Sequence, residues 1–151
     1  MSISVSLPCF LALLIGFATP CLAGPAEQAK ALSEAAAAYI QQVGNEKAFA
    51  DFTRRDGAFV DGEFYVFCYD RDGVNKAEGG NPALAGRKLL HIRDPDGAEP
   101  VALIVRKGFE PEAAGWVVFM WPNPATKKIE SKTAFLIRTN DVVCGVGYYR
   151  P

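Results

Sequence analysis

Five side chains carry the chemistry that this sequence offers most directly: Lys132, Tyr65, Tyr69, Trp116 and Trp121. Lys132 sits at the head of Lys132-Thr133-Ala134-Phe135-Leu136-Ile137, a run that otherwise reads as a buried strand. An ammonium is costly to bury unless an anion or a carbonyl meets it. Period-two alternation puts Lys132 on the face of Ala134 and Leu136, opposite Thr133 and Phe135. Two readings stand side by side: an anion partner inside a pocket, and an edge-strand lysine that blunts aggregation. The tyrosines and tryptophans on neighbouring strands are candidate pocket walls, although aromatics alone more often mean core.

Other chemistry finds little support. Asp-x-Asp-Gly tetrads begin at Asp70 and Asp94 and invite a calcium reading. An EF-hand loop needs a bidentate Glu at its twelfth position and flanking helices, so ordinary turn chemistry is preferred and no metal is assigned. The single histidine, His91, follows Leu89-Leu90 with no Ser or Cys motif nearby and reads as a partly buried structural residue. No Gly-x-Ser-x-Gly, P-loop or GxGxxG occurs, so nucleophilic and phosphate chemistry have no basis, no cofactor is implied, and the chain does not read as an enzyme.

With 16 Lys plus Arg against 17 Asp plus Glu, the net charge of −1 excludes a polycation that would grip nucleic acid. No charged residue occurs in residues 1–23. Phe10 to Ala18 forms an apolar segment, Pro20 breaks it, and Cys21-Leu22-Ala23 presents small residues at the positions a signal peptidase reads. The expectation is a signal peptide over 1–23, one domain over 24–151, and a periplasmic or secreted protein. An uncleaved N-terminal anchor is the alternative, because the segment lacks the usual Lys or Arg at its start. Removal of the segment takes Cys9 and Cys21 with it and leaves Cys68 and Cys144 as an even pair. A structural disulfide and two buried thiols are both open at this point.

The elements that must position these groups follow from periodicity. Leu32, Ala36, Tyr39, Ile40 and Val43 recur at helical spacing from Ala26, Gly44 ends the run, and Asn45 can cap a second short helix through Phe52. Phe64 to Tyr69 and Val74 to Glu78 read as a β-hairpin. Pro82 to Leu90 and Glu99 to Phe109 read as helical pieces. Trp116 to Trp121, Ile129 to Arg138 and Val142 to Tyr149 read as a meander, turned at Pro122-Asn123-Pro124 and Asn140-Asp141. The expected class is α+β, a long N-terminal helix on a five-stranded antiparallel sheet with a helical crossover.

The segments FYVFCYDRDGVNKAEGGNPALAGRKLL, DPDG, GWVVFMWPNPATKKIESKTAFL and DVVCGVGYYRP together resemble the single Cache domain of the second type, a PAS-like extracytoplasmic sensor module. The most specific elements are the Asp-x-x-Gly hairpin, Asn81-Pro82 with Gly86, the turn at Trp121 to Pro124, Lys132 and the closing Gly-x-Gly-Tyr-Tyr. The resemblance implies a small-molecule pocket on the sheet face away from the long helix, with short carboxylates as ligands in several members. It also implies adjacent first and last strands, and hence a Cys68–Cys144 disulfide. The sequence departs from the family at Glu78, where His is common, and at Phe135, where Tyr is common.

The resulting expectation is a non-enzymatic module that binds a small molecule, a short carboxylate held by Lys132 with Tyr65, Tyr69, Trp116 and Trp121 as walls. Receptors of this family continue into a second span and an output module, so a chain stopping at Pro151 reads as a free-standing form that either hands its ligand state to a partner such as a membrane sensor or uses binding for something other than direct signalling. The alternative is an interaction subunit docking onto such a sensor through exposed aromatics. Replacement of an unpaired Lys132 by Met is expected to leave the apo fold intact or more stable.

Overall fold

The protein is described here by a computed structural model covering residues 23–112 and 114–150. The expected leader apart from Ala23, with Cys9 and Cys21, lies outside the described residues. Helix α1 spans Pro25–Val43, with Ala29, Ser33, Ala36 and Ile40 as its buried stripe. Three of these four side chains are small, so the helix backbone lies close on the sheet. Ser33 Oγ accepts the Val146 N–H at 3.0 Å and lies 2.9 Å from the Phe135 carbonyl, pinning the helix to two strands. Gly44, at φ +82°, closes α1 by donating its N–H to the Ile40 carbonyl and also opens α2, Asn45–Thr53. Asn45 is therefore the first helical residue rather than the cap.

The strands are β1, Val60–Asp61; β2, Phe64–Asp70; β3, Asn75–Glu78; β4, Ala114–Pro122; β5, Ile129–Thr139; and β6, Val142–Tyr149. They form one antiparallel sheet in the order β1-β2-β6-β5-β4, with β3 also paired to β2. The sheet has six strands where sequence reading expects five. The addition, β1, is two residues long, too short to show a period. Asp70 Oδ1 accepts the Asp72 and Val74 N–H groups, and Asp94 Oδ1 those of Asp96 and Ala98, so both tetrads are turn-formers.

Helix α3, Pro100–Gly108, confirms the second helical piece, but the first shrinks to a 3-10 turn at Pro82–Leu84. Gly86 takes φ +84°, and the following chain runs extended beside the hairpin. There Asn75 donates to the Arg87 carbonyl, Gly86 to that of Asn75 and Leu89 to that of Gly73. Those long-range bonds outcompete a local helix.

Each face of the sheet has its own core. Under α1 and α2 lie Val66, Cys68, Ala77, Val142, Cys144 and Val146. Under α3 lie Tyr65, Phe67, Tyr69, Val117, Phe119, Trp121, Ala134, Leu136 and Tyr149. Cys68 stands directly opposite Cys144 in the β2–β6 register, and a disulfide joins them with 4.1 Å between Cα atoms.

Candidate ligand-binding site

Lys132 lies on β5 between β6 and β4, not on an edge, and has no solvent exposure, which removes the aggregation-blunting reading. In register it opposes Phe119 on β4 and Tyr149 on β6, so all three point to the α3 side. On that side β6 presents Gly145 and Gly147, and the lysine stem crosses the strand over Gly147. Its Nζ arrives 3.5 Å from the centre of the Tyr65 ring, with the Tyr149 ring at 4.8 Å and the Phe67 ring at 5.5 Å. These rings stabilise the cation through their π faces, but Nζ has no hydrogen-bond acceptor.

Facing it from β3 is Glu78, which pairs with Phe67 and is likewise buried. Glu78 Oε2 accepts the Asn75 amide N–H at 3.2 Å, whereas Oε1 accepts no hydrogen bond. The Tyr69 hydroxyl and Asn75 Oδ1 are also buried without partners. Burial raises the Glu78 carboxyl to about 7, against the pull of the Lys132 charge, the Asn75 amide and the nearby Gly80 N–H, which falls short of hydrogen-bond geometry. Burial lowers the Lys132 ammonium to about 7, against the attraction of Glu78 and, more weakly, Glu63. Burial together with the Glu78 charge also keeps the Tyr65 and Tyr69 phenols protonated.

The hydroxyls of Tyr65 and Tyr149 are 2.9 Å apart, and Tyr149 lies 2.8 Å from the Pro122 carbonyl. A carbonyl only accepts, so the Tyr149 proton goes to Pro122 and Tyr65 donates to Tyr149. This chain fixes both rings around Lys132 and ties them to the Trp121-Pro122-Asn123-Pro124 turn.

Two spaces adjoin the cluster. A narrow gap, too tight for a water molecule, lies among Tyr69, Glu78, Ile104, Phe119, Trp121 and Lys132. An outer cavity of about 300 Å³ opens beside it, with Tyr65, Glu78, Leu84 and Trp121 as its inner wall and Arg55 and Lys127 at its rim. Glu78 and Trp121 border both spaces, so they stand between the outer cavity and Lys132. A larger open groove of about 630 Å³ runs between α3 and β4, but none of its polar side chains is buried. Concentrated unmatched polarity, not size, marks the smaller site.

Of the five residues singled out from sequence, Lys132, Tyr65, Tyr69 and Trp121 meet here. Trp116 does not. It lies on the α1 side of β4, 44% exposed, edge-on to Phe135 and Tyr148. Trp121 lies five positions further on, an odd offset, so alternation already forbids both from sharing one face. Sequence reading named Glu78 only as a departure from the family that bears on ligand preference, and it missed Asn75 and Tyr149 as site residues. A two-residue turn at Asn140-Asp141 fixes Lys132 opposite Tyr149, a signal present in the sequence, with Asn140 in the left-handed region at φ +57°. His91 is 75% exposed beside Glu99, not partly buried as expected.

The Single Cache domain 2 family model matches residues 27–150. No curated protein matches the chain. Among solved structures, a Cache chemosensory domain described for carboxylic acid recognition superposes with a TM-score of 0.72 at 20% identity, over 83% of this chain and 93% of that one. A methyl-accepting chemotaxis protein from Vibrio parahaemolyticus gives 0.68 at 22% identity, over 82% and 87%. The periplasmic sensor domain of a chemotaxis protein gives 0.64 at 25% identity, over 83% and 90%.

Proposed function

This chain belongs to the Single Cache domain 2 family, a family of sensor modules rather than enzymes, and from that premise we propose that it binds a small organic acid outside the cytoplasm. One observation carries the reading: the Lys132 ammonium is wholly buried, has no hydrogen-bond acceptor and lies next to a cavity bordered by Glu78 and Trp121. A buried donor without a partner costs roughly 1–3 kcal/mol, which a ligand carboxylate would recover. The outer cavity of about 300 Å³ suits a ligand of few atoms, and Arg55 and Lys127 at its rim favour an anion. Lys132 is assigned as the anion partner, with Tyr65, Tyr69 and Trp121 as walls; Trp116 is left out because it faces the other side. The carboxylic acid recognised by the similar chemosensory domain supports the same class here.

Thermal melting with a panel of short carboxylates tests this reading. At least one should raise the melting temperature through selective binding to the folded state. A panel without effect, amino- and hydroxy-substituted acids included, removes the carboxylate assignment. Residues 1–23 are proposed to be removed on export, and the intact mass of exported protein decides between cleavage and a retained anchor.

A second reading has its own observation. Trp116, Val118 and Ile129 are 44, 51 and 45% exposed on the α1 side of the sheet, where α1 covers β5 and β6 but leaves the β4 edge open. We propose this patch as the surface that meets a membrane sensor. Trp116→Ser with Val118→Ser should abolish co-isolation with such a sensor while leaving ligand response intact.

A further inference from the structure

The unmatched polar atoms of the site are of opposite kinds on opposite sides. On β3, Glu78 Oε1 and Asn75 Oδ1 are acceptors without donors, on β5 Lys132 Nζ is a donor without an acceptor, and on β2 the unpartnered Tyr69 hydroxyl can serve either way. The Asn75 amide nitrogen donates to Glu78 Oε2, which leaves its oxygen as the unmatched atom. These side chains are at least 99% buried, and Glu78 and Lys132 both border the inner gap.

A plain carboxylate can accept from the lysine, and from the Tyr69 hydroxyl that borders the same gap, but it offers no donor to Glu78 Oε1 or Asn75 Oδ1. It also brings a second negative charge toward Glu78, which disfavours it. From this asymmetry we infer that the site selects carboxylates that also carry a hydrogen-bond donor, an amino or hydroxyl group beside the carboxylate, and that Glu78 is the residue imposing this choice. The inference rests on the organic-acid reading above and narrows it. The ligand carboxylate meets Lys132 Nζ, and the donor meets Glu78 Oε1. An ammonium group, with three N–H donors, can serve Glu78 and Asn75 together, whereas a hydroxyl serves one acceptor. The gap is too tight for water, so entry requires the Trp121 and Glu78 side chains to part, and a ligand that bonds Glu78 holds that opening.

Calorimetric titration of the purified protein with acetate, glycolate and glycine, and with propionate, lactate and alanine, reads the selectivity at nearly constant size. Glycolate or glycine should bind about tenfold or more tightly than acetate, and the longer set should repeat the order. The hydroxy-against-amino comparison tells which donor is preferred. Glu78→Gln places an N–H donor at the same position and should erase or invert the order. Acetate and propionate binding as tightly as their substituted partners overturns the inference but leaves the organic-acid reading standing. No binding by any of the six overturns both. Should Glu78→Gln fail to fold, the wild-type series alone still decides. A folded Glu78→Gln protein that keeps the wild-type order removes Glu78 as the cause.

Discussion

Gly147 lies directly beneath the side chain of Lys132: a methyl group on the glycine would stand 2.8 Å from Lys132 Cε. It would also meet the Thr133 carbonyl oxygen at 2.7 Å and Ala134 Cβ at 2.9 Å. The lysine reaches the Tyr65 ring only because β6 has no side chain at this point. Gly147→Ala should therefore destabilise the fold by roughly 1–3 kcal/mol, as overpacking does, and weaken any carboxylate response by displacing the ammonium. Urea unfolding of the variant with stability equal to wild type would contradict the placement of Lys132.

The hydroxyl chain from Tyr65 through Tyr149 to Pro122 has a direction, and the two end deletions differ accordingly. Tyr149→Phe strands the buried Tyr65 donor and should cost about 1–3 kcal/mol. Tyr65→Phe leaves the bond from Tyr149 to Pro122 intact and should cost less. The order of the two denaturation midpoints checks the direction.

The disulfide between Cys68 and Cys144 closes a loop across a sequence separation of 76. Chain entropy assigns such a loop roughly 4 kcal/mol, and its reduction should lower the melting temperature by about 10–15 °C. Alkylation of denatured, unreduced protein should label neither residue; labelling of both would show the bond to be absent in the isolated protein.

The sequence alone leads one to expect that Lys132→Met is harmless, and the structure reverses that expectation. Without the lysine, Glu78 stays buried but loses the attraction of a neighbouring cation that favours its charged form, so Lys132→Met should lower stability rather than spare it. The double variant Lys132→Met with Glu78→Gln should recover most of the loss. A double variant no more stable than the single one would separate the two residues energetically.

The same pair sets a pH dependence. From the ordinary Glu value of 4.5 up to about 7, folded Glu78 retains a proton that the unfolded chain releases, so stability falls as pH rises. From about 7 up to the ordinary Lys value of 10.5, folded Lys132 has released a proton that the unfolded chain retains, so stability rises with pH. The contribution of the pair therefore passes through a minimum near neutrality. Urea midpoints across this range should lose the acid-side fall in Glu78→Gln and the alkaline-side rise in Lys132→Met.

What the sequence determined is what repeats locally. The stripe on α1, the break at Gly44 and the side of β5 on which Lys132 lies follow from periods of 3.6 and 2, which depend only on neighbouring residues. Given the family's strand order, the pairing of Cys68 with Cys144 followed too. Trp116 was legible and misread, since strand parity separates it from Trp121. Glu78 was not legible as a partner of Lys132. It closes a four-residue strand with a register shift, and β3 is separated from β5 by β2 and β6. Their meeting depends on a lysine long enough to cross a strand and on Gly147 leaving its path open. Only the tertiary structure decides this, because it brings together side chains from five strands whose separate patterns carry no information about one another.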